Sequence, residues 1–268
     1  MTRRSAALAL GLGMSLAVSA AACAARALTL PAPGGNPLPN AADLHADITK
    51  SCIGVRTFTA ELGLSGRAGE QRISGRAVVG FEAPDSMRLE GVAPIGQPGF
   101  ILVSRATAAT LLLPRDERVL KGANPGEILG ALTGVSLGPA DLQAILTGCV
   151  VPSPKVSSGS EQGAWVILDL AGGPTLFLQR VRGAALELRA ARRDRWQIEY
   201  AEWQNGFPRS VRLVSNDAPR VDMTARLTQI ETNVDLDDAA FTVEVPRNAL
   251  PITLQELRDA GPLRGSSQ

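Results

Sequence analysis

The sequence predicts a mainly β protein with some α: one long, curved antiparallel sheet, a helix before it, and a pair of helices inserted midway. Three observations predict this. Short runs of alternating apolar residues recur along most of the chain, each closed by Gly, Pro or Asp turns. Between residues 125 and 148 the pattern changes to two segments that open on Pro and close on Gly, which is helix punctuation. There is no internal repeat, so one hydrophobic core should serve the whole domain.

The order begins at a leader. Arg3 and Arg4 precede an apolar stretch from Ala6 to Val18, and small residues Ser19 to Ala22 lead to Cys23. Charge, apolar core and small-residue exit make residues 1–22 a secretory signal peptide. Its apolar part falls short of the roughly 20 residues a membrane-spanning helix needs. The cysteine after the small residues resembles a bacterial lipobox, which makes Cys23 the expected lipid anchor. Ala20 stands where the lipobox has Leu, so plain cleavage after Ala20-Ala21-Ala22 stays open. Ala24 after the cysteine resembles the sorting signal for the outer membrane, which gives the expected location: its periplasmic face.

Residues 23–41 carry Pro31, Pro33, Gly34, Gly35, Pro37 and Pro39, too many breakers for regular structure. They read as a tether, able to reach on the order of 50 Å if extended. Without the leader roughly 245 residues remain, with residues 42–250 read as the domain and 251–268 as a C-terminal helix and tail. A net charge of +1 and the interruption of Arg192, Arg193 and Arg195 by Asp194 argue against nucleic acid. A monomer is expected. In an oxidising envelope the two further cysteines, Cys52 and Cys149, read as a disulfide or as two buried thiols.

Within the domain, Leu44, Ile48 and Ile53 predict a first helix over 42–54, with His45 on its polar face. Phe58, Ala60, Leu62 and Leu64 alternate, then Ala77, Val79 and Phe81, then Met87 and Leu89. Phe100 to Val103 and Leu111 to Leu113 are continuous apolar runs, which signal burial on both faces. Helices are predicted over 125–132 and 139–146. Strands resume over 165–170, 175–181, 184–190, 196–203, 208–214 and 221–230. Thr253-x-x-Glu256 reads as a capping box that opens a final helix.

Catalytic chemistry is thin. His45 is the single histidine, so a Ser-His-Asp triad or a His-rich metal site would have to use it. Gly63-Leu64-Ser65-Gly66 lacks the last glycine of a nucleophile elbow. Asp235, Asp237 and Asp238 lack the glycine and distal glutamate of a calcium loop. No enzyme activity, cofactor or metal is expected.

Two segments carry a resemblance. Leu89-Glu90-Gly91-Val92-Ala93-Pro94-Ile95-Gly96 runs from a strand into a loop. Glu127-Ile128-Leu129-Gly130-Ala131-Leu132-Thr133-Gly134-Val135 then leads through Leu137 and Pro139 to Leu142, Ile145, Leu146 and Gly148. Together they resemble the outer-membrane lipoprotein receptor of the lipoprotein-localisation pathway and its soluble periplasmic carrier. Trp196 to Tyr200 and Pro208 to Leu213 resemble the late strands of that family.

The resemblance implies an open half-barrel, lidded by helices, whose apolar concave face takes up acyl chains of lipoproteins. It implies a periplasmic carrier protein as partner and a protruding membrane-insertion loop at Pro94, Ile95 and Gly96. The residues expected to line the cavity are Val79, Phe81, Met87, Leu89, Phe100, Leu102, Leu112, Leu129, Leu132, Leu142, Ile145 and Trp165. A carrier of another lipid and a scaffold that binds no lipid are the alternatives.

Overall fold

The computed structural model describes residues 27–93, 96–149, 154–181, 185–218 and 220–260. A first meander comprises β2 (Thr57–Ala68), β3 (Gln71–Glu82), β4 (Ser86–Val92), β5 (Phe100–Arg105), β6 (Ala108–Leu113) and β7 (Arg118–Ala123). A second comprises β8 (Val156–Gln162), β9 (Trp165–Leu170), β10 (Thr175–Arg180), β11 (Leu186–Arg193), β12 (Trp196–Gln204), β13 (Phe207–Ser215) and β14 (Val221–Thr232). They join edge to edge where β14 pairs antiparallel with β2, from Val221↔Ala68 to Thr232↔Phe58. Two-residue strands end the sheet: β1 (Asn36–Pro37) on β8, and β15 (Leu250–Pro251), parallel, on β7. The result is one open, curved sheet of 15 described strands, a half-barrel. Both terminal strands are short and contain a proline, which blunts them against edge-to-edge pairing.

The seam between the meanders depends on Gly66. Its φ is +146°, and a Cβ there would collide with the Asp222 carbonyl of β14. Only glycine lets the two backbones approach so closely.

Strand alternation puts Phe58, Ala60, Leu62, Ala77, Val79, Phe81, Met87, Leu89, Phe100 and Leu102 on the inner face. Helix α2 (Pro125–Thr133) buries Ile128, Leu129 and Leu132 against that core. Asn124 caps it, accepting from the Gly126 and Glu127 N–H groups, and Gly134 ends it at φ +78°. Helix α3 (Pro139–Thr147) follows, ended by Gly148 at φ +72°. Helix α4 (Leu254–Ala260) packs on α2 through Leu257. Its capping box is closed in both directions: Thr253 N–H donates to Glu256 Oε2 (2.7 Å) and Glu256 N–H to Thr253 Oγ1 (3.1 Å). Those bonds hold the Glu256 carboxyl below its usual pKa.

The first helix is shorter than its apolar spacing predicts. Helix α1 runs Ala41–Ile48, and a separate 3-10 turn, Lys50–Cys52, follows. The Thr49 hydroxyl donates to the His45 carbonyl (2.8 Å), competing with the helix ladder at the break. Ile53 is left exposed, and Gly159 of β8 has no side chain where Ala41 packs.

His45 is not on a solvated face: only 7 % of it is accessible. Burial lowers its pKa from the ordinary 6.5, because the charged imidazolium is poorly solvated there. The unfolded chain therefore takes up this proton first as pH falls, and the folded state loses stability below pH 6.5 until the folded imidazole titrates too. Unfolding midpoints in urea at pH 7.5 and 5.5 should show this loss, and His45→Gln should flatten it. An equal slope in the variant would assign the loss to other groups.

Parts of both terminal segments strap the outer face. From Ala27 on, the segment read as a free tether is docked. Leu28 and Leu30 pack with Trp165 against Ile167, Phe177 and Ala190. The Leu28 N–H donates to Glu199 Oε1 (2.6 Å), and Gln197 Nε2 donates to the Leu28 carbonyl (2.8 Å). At the other end of the sheet Arg88 donates to the carbonyls of Ala240 and Thr242, both at 2.9 Å. Arg105 pairs with Asp238 and lies over the ring of buried Phe241.

Candidate functional site

Helix α2 packs against β6 and buries most of its residues, whereas α3, which contacts β13, sits less deeply. Of α3 only Leu146 and Thr147 are fully buried. Beneath it lies a cavity of about 180 Å³, walled by Leu137, Ala144 and Ile145 above and by Leu176, Leu188, Ala191 and Ile198 of β10–β12 below. Trp196 and the ion pair Arg193–Asp141 (3.1 Å), both partners half exposed, stand at the mouth. Tyr200 lies further along β12 and is 5 % exposed. Burial pushes its phenol pKa up, so it stays a neutral donor.

A second cavity, of about 340 Å³, adjoins the first, sharing Gly148, Leu176 and Leu188. It is bounded by the turn Ile48–Cys52 and by Trp203, whose Nε1 donates to the Leu188 carbonyl (3.0 Å). Gly148 makes room for that indole, since a Cβ would stand 2.9 Å from its Cη2 atom. Cys52 and Cys149 are joined, with Cα atoms 5.6 Å apart, so the C-terminal end of α3 is bound to the turn after α1.

The residues expected to line a cavity divide into three groups. Val79, Phe81, Met87, Leu89, Phe100 and Leu102 of the strands and Leu129 and Leu132 of α2 lie together in the inner core and line neither cavity. Ile145 borders the smaller cavity, and Leu142, also on α3, packs half-buried against the core. Leu112 and Trp165 face the other way. Leu111 and Leu113 take the inner positions around Leu112, and Val166 and Leu168 are the inner residues of β9. Trp165 instead meets Phe177 edge-on at 6.4 Å on the outer face.

Sequence reading missed Leu176, Leu188, Ala191, Ile198 and Tyr200 as cavity walls. The alternation Trp196-x-Ile198-x-Tyr200 was the available signal. Gly96 of the loop is exposed at φ +83°, whereas Pro94, Ile95 and Cys23 lie outside the described residues. Among the described residues no three His, Cys, Asp or Glu side chains cluster as a metal site. No described helix is long and apolar enough to cross a membrane.

No family model and no curated protein sequence matches the chain. Solved structures do. A protein of the DUF1329 family from Desulfovibrio piger superposes with a TM-score of 0.50 at 13 % identity, over 77 % of this chain and 98 % of that one. A LolA superfamily protein from Nitrosomonas europaea gives 0.50 at 10 % identity, with the same two coverages. The chain shares their fold. At those identities the likeness is one of architecture, and the cavities beneath α3 rest on this chain's own side chains.

Proposed function

We propose that this protein is a carrier that holds an acyl chain of a lipid between α3 and strands β10–β12. The observation that carries the reading is the cavity beneath the partly embedded α3, whose inner walls are mainly aliphatic and aromatic side chains, with a larger, partly polar recess adjoining it. Hydrocarbon needs such a site, since each buried CH₂ contributes about 0.8 kcal/mol and few polar groups have to be desolvated. The smaller cavity lies below the ~300–1,000 Å³ usual for ligand pockets, so uptake lifts α3. Gly134 and Gly148, at the C-terminal ends of α2 and α3, supply hinge points. The half-barrel fold shared with the LolA superfamily protein supports the same reading. Binding, with no chemical step, is the whole function.

In its finer form the proposal makes the cargo an acylated lipoprotein, received from a periplasmic carrier. Cys23 anchors the protein to the outer membrane, and the Pro94-Ile95-Gly96 loop helps insert the cargo. Native mass spectrometry of the exported chain with Cys23→Ala, purified without detergent, tests the carrier reading. Bound acylated species are expected, and their mass separates lipoprotein from phospholipid. A clean apo mass with no uptake of an offered diacylated peptide would favour the scaffold.

A further inference from the structure

The smaller cavity carries charged groups at its mouth, Asp141, Arg193 and Asp194, and Ser136 beside Leu137; among the strand residues that floor it, Leu176, Leu188, Ala191, Ile198 and Tyr200, only Tyr200 is polar. Tyr200 borders it, and no described residue hydrogen-bonds to its hydroxyl. That oxygen is not fully enclosed by protein, which leaves it reachable from the cavity that Tyr200 borders. Such a hydroxyl can bond water while the site is empty, and a ligand that displaced the water without offering an acceptor would leave it unpartnered at a cost of about 1–3 kcal/mol. A site for bare hydrocarbon would be served better by phenylalanine.

Position adds a second observation. Trp196, Ile198 and Tyr200 follow one another along the inner face of β12, from the Arg193–Asp141 mouth inwards. The Tyr200 ring lies 5.9 Å from the Trp203 ring, and Trp203 walls the second cavity. Tyr200 therefore stands inward of the mouth, on the side of the second recess, which is itself bordered by the exposed Asp47 and Lys50. A hydrogen bond there fixes how deeply an amphiphile enters: its head group stays near Arg193, and its chain runs past Gly148 into the larger space.

We propose that the Tyr200 hydroxyl donates to the carbonyl oxygen of an ester- or amide-linked acyl chain, making it the residue by which the carrier selects acyl lipids over plain hydrocarbon. The inference rests on the carrier reading and specifies its ligand class.

Tyr200→Phe tests it, because that change removes one oxygen and keeps the ring. Binding of methyl palmitate and of octadecane to the full exported chain can be followed by tryptophan fluorescence, since Trp196 and Trp203 border the cavities. The variant should lose roughly three- to tenfold in affinity for the ester and nothing for the alkane. Infrared spectra of the bound ester should show its carbonyl stretch at lower frequency in the wild type than in the variant. Equal affinities for the ester, or an unshifted carbonyl band, would overturn the role of Tyr200 while leaving the carrier reading in place. A wild type that binds neither probe would overturn both.

Discussion

Replacing both Cys52 and Cys149 with alanine should lower the free energy of unfolding by about 4 kcal/mol. The bond closes a loop with a sequence separation of 97 residues. In the chain-entropy model a loop of that size costs the unfolded ensemble about 4–5 kcal/mol of freedom when bridged. The loop contains the whole first meander and both lid helices, so most of the long-range pairing on that side forms inside it. Urea denaturation of the wild type with and without a thiol reductant, and of the double variant, should give two matching low values and one high one. A loss below 1 kcal/mol would show that the unfolded chain gains little freedom when the bridge is cut. The bond also pins one end of α3. Cargo uptake in the variant should be faster, because the helix is then held only by packing and by Arg193–Asp141.

The largest functional effect is expected from filling the cavity. Ala191 lies on β11, nearly inaccessible, with its methyl group towards the smaller cavity. Ala191→Phe puts a ring into space that is empty, so the strain of overpacking is limited. If the ring excludes three methylenes of an acyl chain, affinity drops by about 2.4 kcal/mol, roughly 50-fold. Val78→Phe, at an exposed position on the outer face, is the matched control and should bind as the wild type does. Undiminished binding by Ala191→Phe would move the ligand elsewhere, first to the space beside Ile48–Cys52.

Legibility followed the strength of local pattern. Strands β2, β3 and β4 alternate over Phe58–Leu64, Ala77–Phe81 and Met87–Leu89, and their inner faces were readable there. The helices of the lid announced themselves by Pro125 and Gly134, Pro139 and Gly148. Strand β8 was invisible, because Val-Ser-Ser-Gly-Ser-Glu-Gln has no apolar alternation; it exists through its pairing with β9 and β1 and through Ala41 packing on Gly159. Leu111 to Leu113 could not be assigned a face, since three leucines in a row carry no phase. His45 was misplaced because α1 lies against β8 and β11, a contact between segments more than a hundred residues apart.

By itself the sequence determined the fold class, the meander, the lid punctuation and which side of the alternating strands is apolar. All of these are encoded in spacings of two to four residues, where backbone geometry leaves few choices. The tertiary structure alone decided that α2 sinks into the core, that α3 leaves a cavity beneath it, and that Leu28 and Leu30 near one end of the chain and Ala240 to Thr242 near the other bind the outer face. A cavity is the volume left over after distant elements pack. Its place depends on how far each helix sinks into the curved sheet, and no stretch of sequence carries that difference by itself.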